Sequence, residues 1–172
     1  MIMAALTASI PPAVAQDRAS HRDDLAADLR ALADRRGDVD AFMILSRPSI
    51  LRRLARMIAE TLPVGIDRLV GSHGQDDALV SAVALHTGIP FAVVDTASGA
   101  VHGELHVSEK VAIVRTRRAA GEGTLEQRLE ELGAHVVTSV SVLAAESTAS
   151  AGDRALFGAA DIAGPVVPGR AA

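Results

Sequence analysis

Apolar and polar positions recur with two different periods along this chain. In 21–36, HRDDLAADLRALADRR, the residues Leu25, Leu29 and Leu32 fall at i, i+4 and i+7, which predicts a helix with one apolar stripe. Asp23 and Asp24 lie in its first turn, where acids suit the positive helix end, and Gly37 breaks the pattern. The short apolar run AFMIL, 41–45, reads as a strand. In RPSILRRLARMIAETLP the apolar positions Ile50 or Leu51, Leu54, Met57 or Ile58, and Leu62 predict a second helix stopped by Pro63. Arg52, Arg53 and Arg56 fall on its wet side.

From residue 66 onward strands alternate with helices. IDRLVGS is a strand entering a Gly turn, and DDALVSAVALHTG is a helix ended by Gly88. IPFAVVD is a second strand, TASGAVHGELHVSE a loop and KVAIVRT a third strand. TLEQRLEEL is a helix ended by Gly133, and AHVVTSVSVLAAE is a fourth strand. The runs 91–94 and 111–114 are continuously apolar, as strands covered on both faces are. The alternation predicts an α/β fold, a parallel sheet with right-handed crossovers and flanking helices. The domain is expected over 19–163, between a flexible N-terminal tail (1–18) and a flexible C-terminal tail (164–172).

Composition narrows the function classes. Of 172 residues, 49% are hydrophobic but only 2% aromatic, so Leu, Val, Ile and Ala fill the core and three Phe cannot build a base-stacking surface. A net charge of -4 gives no general attraction to nucleic acid or anionic membrane. The absence of cysteine excludes disulfides, thiolate catalysis and cysteine-ligated zinc, and Lys110 is the only lysine. No apolar run reaches the ~20 residues of a membrane span. The start, MIMAALTASIPPAVAQ, has no basic residue before its apolar part and is broken by Pro11-Pro12, so it reads as a loose tail rather than a secretory signal. A cytoplasmic protein is the expectation.

The stretch VAIVRTRRAAGEGTLEQRLEELGAHVV, 111–137, carries the candidate chemistry. Thr124 to Gln127 reads as a capping box, which starts a helix just after the turn AAGEG. Free amides at a helix start and in a Gly-containing turn suit an anion, although a Gly turn here also serves tight packing alone. Ala119, Ala120, Gly121, Glu122, Gly123 and Thr124 are thus the candidate phosphate-binding residues. Arg115, Arg117 and Arg118, at the end of the preceding strand, suit an anion or partner site, with a solvated strand end as the favoured reading.

From about residue 40 to 146 the chain resembles the type I phosphoribosyltransferases, most closely orotate phosphoribosyltransferase. LVGSHGQDDALVSAVALHTGIPFAVVD is similar to that family's first strand, pyrophosphate loop, helix and second strand. HGEL and EKVAIV resemble the approach to its third strand. AAGEGTLEQRLEELGAHVV resembles its 5-phosphate loop, helix and next strand, and RALFGAADI its C-terminal segment. The resemblance implies a parallel sheet with a small N-terminal hood and a homodimer, and it makes Ser72, His73, Gly74 and His102 ligand contacts beside the three arginines. It also implies losses. The family's paired acids on the third strand, which accept the ribose hydroxyls, fall on Arg115 and Thr116, and a guanidinium accepts nothing. Its Thr-Thr-Gly-Gly loop reads Ala119-Ala120-Gly121-Glu122, and a carboxylate ~4–5 Å from a bound phosphate repels it by a few kcal/mol at a dielectric of about 20. Its Lys-bearing mobile loop reads TASGAVHGELH, without Lys.

Other candidates are weaker. His102 and His106 flank Glu104, but in a loop rather than on the helix a zinc hydrolase needs. Asp76 and Asp77 suit magnesium or simply a helix's first turn. His86 near a helix end reads as structural, and Ser46, Ser72 and Ser81 have no visible base. The resulting expectation is a degenerate, non-catalytic site with no catalytic residue, metal or cofactor, holding an anionic small molecule or a protein partner. The alternative is an active transferase using phosphoribosyl pyrophosphate and magnesium on a base such as orotate, with Asp95 or Asp76 on the metal.

Overall fold

The computed structural model describes residues 12–34, 38–117, 124–144 and 153–162. The first helix, α1 (Pro12–Leu32), buries Leu25, Ala26 and Leu29, the stripe the spacing implied. It starts inside the stretch expected to be a tail. Proline suits a first helical turn, where an N–H would have no partner. The run AFMIL is not a strand but a short helix, α2 (Ala41–Leu45). The Asp40 carboxylate accepts the Phe42 amide at 2.9 Å and caps it. Five apolar residues hold no period that separates helix from strand, and the cap decides. The third helix, α3 (Pro48–Thr61), has proline in its first turn and buries Ile50, Leu54, Ala55 and Ile58 as anticipated.

A six-stranded sheet follows, in the order β3-β2-β1-β4-β5-β6. Its strands are β1 (Arg68–Ser72), β2 (Phe91–Val94), β3 (Val101–His102), β4 (Lys110–Arg117), β5 (His135–Leu143) and β6 (Asp153–Phe157). Every pairing is parallel except β2 with β3. Four of these strands match the sequence reading. The antiparallel β3 is two residues inside the stretch read as a loop, too short to leave an alternation. The edge strand β6 lies in RALFGAADI. Helices α4 (Asp77–Thr87), α5 (Thr124–Glu131) and α6 (Ala159–Ile162) complete the fold. Gly88, at φ 75°, closes α4 by donating to the Ala84 carbonyl at 2.8 Å, a left-handed cap that glycine takes without strain.

Strand β4 separates two apolar layers. Ala112 and Val114 belong to the layer that holds α1, α3 and α4, with Leu25, Leu54, Leu79 and Val140. Val111 and Ile113 belong to the α5 layer, with Leu125 and Leu129. Burial on both faces therefore explains the unbroken apolar run. The N-terminal helices are tied to the other end of the chain: Arg22 donates to the Asp161 carboxylate at 2.7 Å and the Leu156 carbonyl at 3.0 Å, and Arg30 to the Asp161 carbonyl at 2.8 Å. No described helix is long and apolar enough to cross a membrane.

The start of β1 is joined to the entry of β4 by a bidentate pair. Arg68 donates through Nε and Nη2 to Glu109 at 2.9 and 2.8 Å. These bonds hold the Glu109 carboxyl down at about 2, below its ordinary 4.5. A depressed folded value means the contribution is complete above about pH 4.5 and is lost as pH falls toward 2. Urea unfolding across that window should show wild-type stability declining more steeply than that of Glu109→Gln. Parallel pH profiles would contradict this account.

Candidate functional site at the carboxyl edge of the sheet

The carboxyl ends of β1, β2, β4 and β5 share one edge, because these strands run parallel. The chain passes from β1 to β2 on one side, then returns to place β4 on the other side of β1. The crevice between β1 and β4 is thus the switch point at which open α/β sheets bind ligands.

Asp76 stands in that crevice. Its Oδ1 accepts the Thr116 amide at 2.8 Å and its Oδ2 the Ser72 amide at 3.2 Å, so one carboxylate bridges the ends of β4 and β1. It is buried. A Cβ at Gly71 would stand 3.0 Å from Asp76 Cβ, so the bare glycine permits this close return of the chain. Burial raises the Asp76 pKa, against the two amide bonds that favour the ionised form. The expectation of a simple first-turn acid is therefore incomplete: Asp76 precedes α4 and serves strand ends rather than helix amides.

Arg115, in the register of Val111 and Ile113, faces α5 and is only 2% exposed. Its Nη2 donates to Glu126 Oε2, in the first turn of α5, at 2.6 Å. Among the described residues its Nε and Nη1 have no hydrogen-bond partner, and neither has Glu126 Oε1. Arg115 is therefore not the solvated strand end that the sequence favoured. Arg117 is turned to the N-terminal segment, donating to Asp38 Oδ1 at 2.6 Å and the Val39 carbonyl at 2.9 Å. Arg118, Ala119, Ala120, Gly121, Glu122 and Gly123 lie outside the described residues. Thr124 is the first residue of α5. The Gln127 amide reaches forward to Glu131 at 3.3 Å, an exposed i,i+4 contact, and the Thr124 side chain of the expected capping box lies outside what is described.

The structure brings His73 and His102 together. Their ring centroids are 4.8 Å apart, with planes inclined by 40°. His73 follows β1, its amide donating to the Val94 carbonyl at 2.9 Å, and its Nδ1 lies 3.2 Å from Asp77 Oδ2. Ser72 and Gly74 flank it, Gly74 at φ 86° in the turn. His102 thus neighbours His73, while His106 lies 3.9 Å from Glu104 in the following loop. Asp95, after β2, accepts Ser98 Oγ at 2.6 Å and the Ala97 amide at 2.9 Å, and the Ser98 bond chiefly lowers its pKa. Arg128 of α5 donates to the Gly99 carbonyl at 3.2 Å and anchors this turn.

Both acids proposed for a metal are engaged in hydrogen bonds: Asp76 accepts two strand-end amides, and Asp95 accepts the bonds of its own turn. Among the described residues no group of three or more metal-binding side chains occurs. Sequence reasoning missed Glu126 and the bridging role of Asp76. One signal was available for Glu126: an arginine inside a buried strand requires a partner, and the next helix offers an acid in its first turn.

No protein-family model matches the sequence, and no curated protein matches it. Solved structures do. The orotate phosphoribosyltransferase of Mycobacterium tuberculosis H37Rv, in complex with 5-phospho-alpha-D-ribosyl 1-diphosphate, superposes with a TM-score of 0.69 at 22% identity, covering 83% of this chain and 92% of that one. A phosphoribosyltransferase from Corynebacterium diphtheriae gives 0.70 at 22% identity, covering 84% and 99%. The UMP synthase of Leishmania donovani gives 0.68 at 20% identity, covering 91% of this chain and 42% of that longer one. The chain has the type I phosphoribosyltransferase fold.

Two single variants and one double variant probe the edge. Asp76→Ala leaves the Ser72 and Thr116 amides without their acceptor and should cost about 2–4 kcal/mol in urea unfolding. Glu126→Ala strands a buried guanidinium and should cost about 3 kcal/mol, whereas Arg115→Leu with Glu126→Leu should be close to neutral. Equal losses in the single and double variants would show that the pair is not coupled.

Proposed function

We propose, on this fold, that the chain is a non-catalytic phosphoribosyltransferase-like protein that binds a phosphate-bearing small molecule at the carboxyl edge of its sheet. The observation that carries this reading is the buried Arg115, which has spent one N–H on Glu126 and has two more nitrogens without partners among the described residues. An unpaired buried donor is costly, and an oxyanion supplies the missing lone pairs.

The same position argues against transfer. Holding a ribose in the family's manner needs carboxylate acceptors at the end of the third parallel strand. The residues there are Arg115 and Thr116, and the nearest strand-end acid, Asp76, has both oxygens engaged by amides. A cation in place of an acid pair inverts the local field, so it favours the phosphate and leaves the sugar hydroxyls without their acceptors. In this reading the protein is a cytoplasmic homodimer with no bound metal, and a protein partner is the other occupant of the same edge.

One observation favours a second reading, an active transferase acting on a base such as orotate. Glu126 Oε1 is a buried acceptor without a partner, so it offers one of the two contacts a ribose diol requires.

Calorimetry separates these readings. Ribose 5-phosphate should bind without magnesium at micromolar affinity, and the double variant Arg115→Leu with Glu126→Leu should lose about tenfold or more. Phosphoribosyl pyrophosphate with orotate and magnesium should give no product. Sustained turnover by the purified chain would falsify the non-catalytic reading and support the second one.

A further inference from the structure

A cavity of about 320 Å³ opens between α1, α3 and β6, and it shares no residue with the carboxyl edge. Arg18 and Arg22 of α1 and Arg53 and Arg56 of α3 surround it, over an apolar floor that includes Met57 and Leu156. Its volume falls at the lower end of the range for small-molecule sites.

The charges around it are unevenly matched. Arg22 is paired with Asp161 at 2.7 Å, and Arg53 with Asp28. Among the described residues Arg18 and Arg56 share one carboxylate: Glu60 Oε2 lies 3.5 Å from Arg18 Nε, and Glu60 Oε1 lies 3.1 Å from Arg56 Nε. Two guanidiniums on one carboxylate leave one surplus positive charge at the rim. The nitrogen nearest Glu60 is Nε in both cases, and among the described residues neither fork's terminal amino groups donate a hydrogen bond. Those forks suit a planar oxyanion. The floor beneath them suits an apolar body rather than a sugar or a free inorganic ion, because desolvating polar groups against Met57 and Leu156 would go uncompensated.

We infer that this cavity is a second binding site, for a small amphipathic organic anion whose single acidic head meets Arg18 and Arg56 and whose apolar body lies on Met57 and Leu156. The chemistry differs from that of the sheet edge, where the free donors are fully buried. The two sites therefore select different ligands.

The test uses 8-anilinonaphthalene-1-sulfonate, an anionic amphipathic probe, with the full chain in native buffer. Fluorescence titration should saturate at one probe per chain. Arg56→Glu should weaken binding about tenfold or more, while Arg52→Glu, the same charge change on the exposed face of α3, should leave it unchanged. Met57→Trp should fill the cavity and abolish binding, with circular dichroism confirming that each variant is folded. The neutral N-phenyl-1-naphthylamine should bind about tenfold more weakly than the sulfonate. The inference is overturned by non-saturable binding, by equal losses at positions 52 and 56, or by a neutral probe that binds as tightly. Light scattering adds one more arm. A dimer that dissociates as the probe binds would overturn it in favour of a second copy of this chain as the occupant.

Discussion

A guanidinium at the end of a buried central strand dictates much of the local structure. Arg115 lies on the α5 side of β4, in register with Val111 and Ile113, the apolar residues that precede it on that face. A charge so placed requires a counter-charge, and removing that partner is far costlier than never having had the pair. The first turn of α5 supplies it in Glu126, so the helix start is located by electrostatics as well as by the burial of Leu125 and Leu129. Glu126 also lies where an acid interacts favourably with the helix dipole, so one carboxylate serves both the strand and the helix.

On the opposite face of the same strand end, Asp76 closes the crevice between β1 and β4. The two interactions are complementary. One sets the position of α5 over the strand, and the other fixes the spacing of the two strands that bound the switch point. Both place a carboxylate against a donor of β4, yet they leave different groups spare. Asp76 accepts an amide on each oxygen, while Arg115 keeps two nitrogens without partners among the described residues. Two free donor nitrogens of Arg115 thus stand beside the free acceptor Glu126 Oε1, and this excess of donors underlies the proposed preference for an anion.

Much of the fold was legible because its signals were long or redundant. The leucine stripe of α1, the alternation from β1 to β5 and the Gly88 stop of α4 each agree across several residues. AFMIL failed because five residues carry no period, and the deciding feature was the Asp40 cap just outside the run. The two-residue β3 failed for the same reason of length. The site was legible only in kind. The sequence identified Arg115 as out of place, but its direction depended on strand parity: a one-residue shift would have turned it toward α4 and Asp76 instead. The residues 118–123, on which the phosphate-loop reading rests, lie outside the described residues.

Charge pairing connects the two proposed sites. The chain has 17 basic and 21 acidic residues, an excess that lets most arginines take an acid of their own. Arg68 has Glu109, Arg115 has Glu126, Arg117 has Asp38, Arg128 has Glu131, Arg22 has Asp161 and Arg53 has Asp28. Against that background a shared or half-used partner is informative. Glu60 divided between Arg18 and Arg56 leaves charge at an open rim, and Arg115 with two idle nitrogens leaves hydrogen-bond donors in a closed interior. The first is screened by water and salt, so its selectivity must come chiefly from the apolar floor beneath it. The second is shielded from solvent, so each donor there contributes more strongly to any anion that reaches it. The same residue type therefore does different chemistry in the two places, and burial sets which.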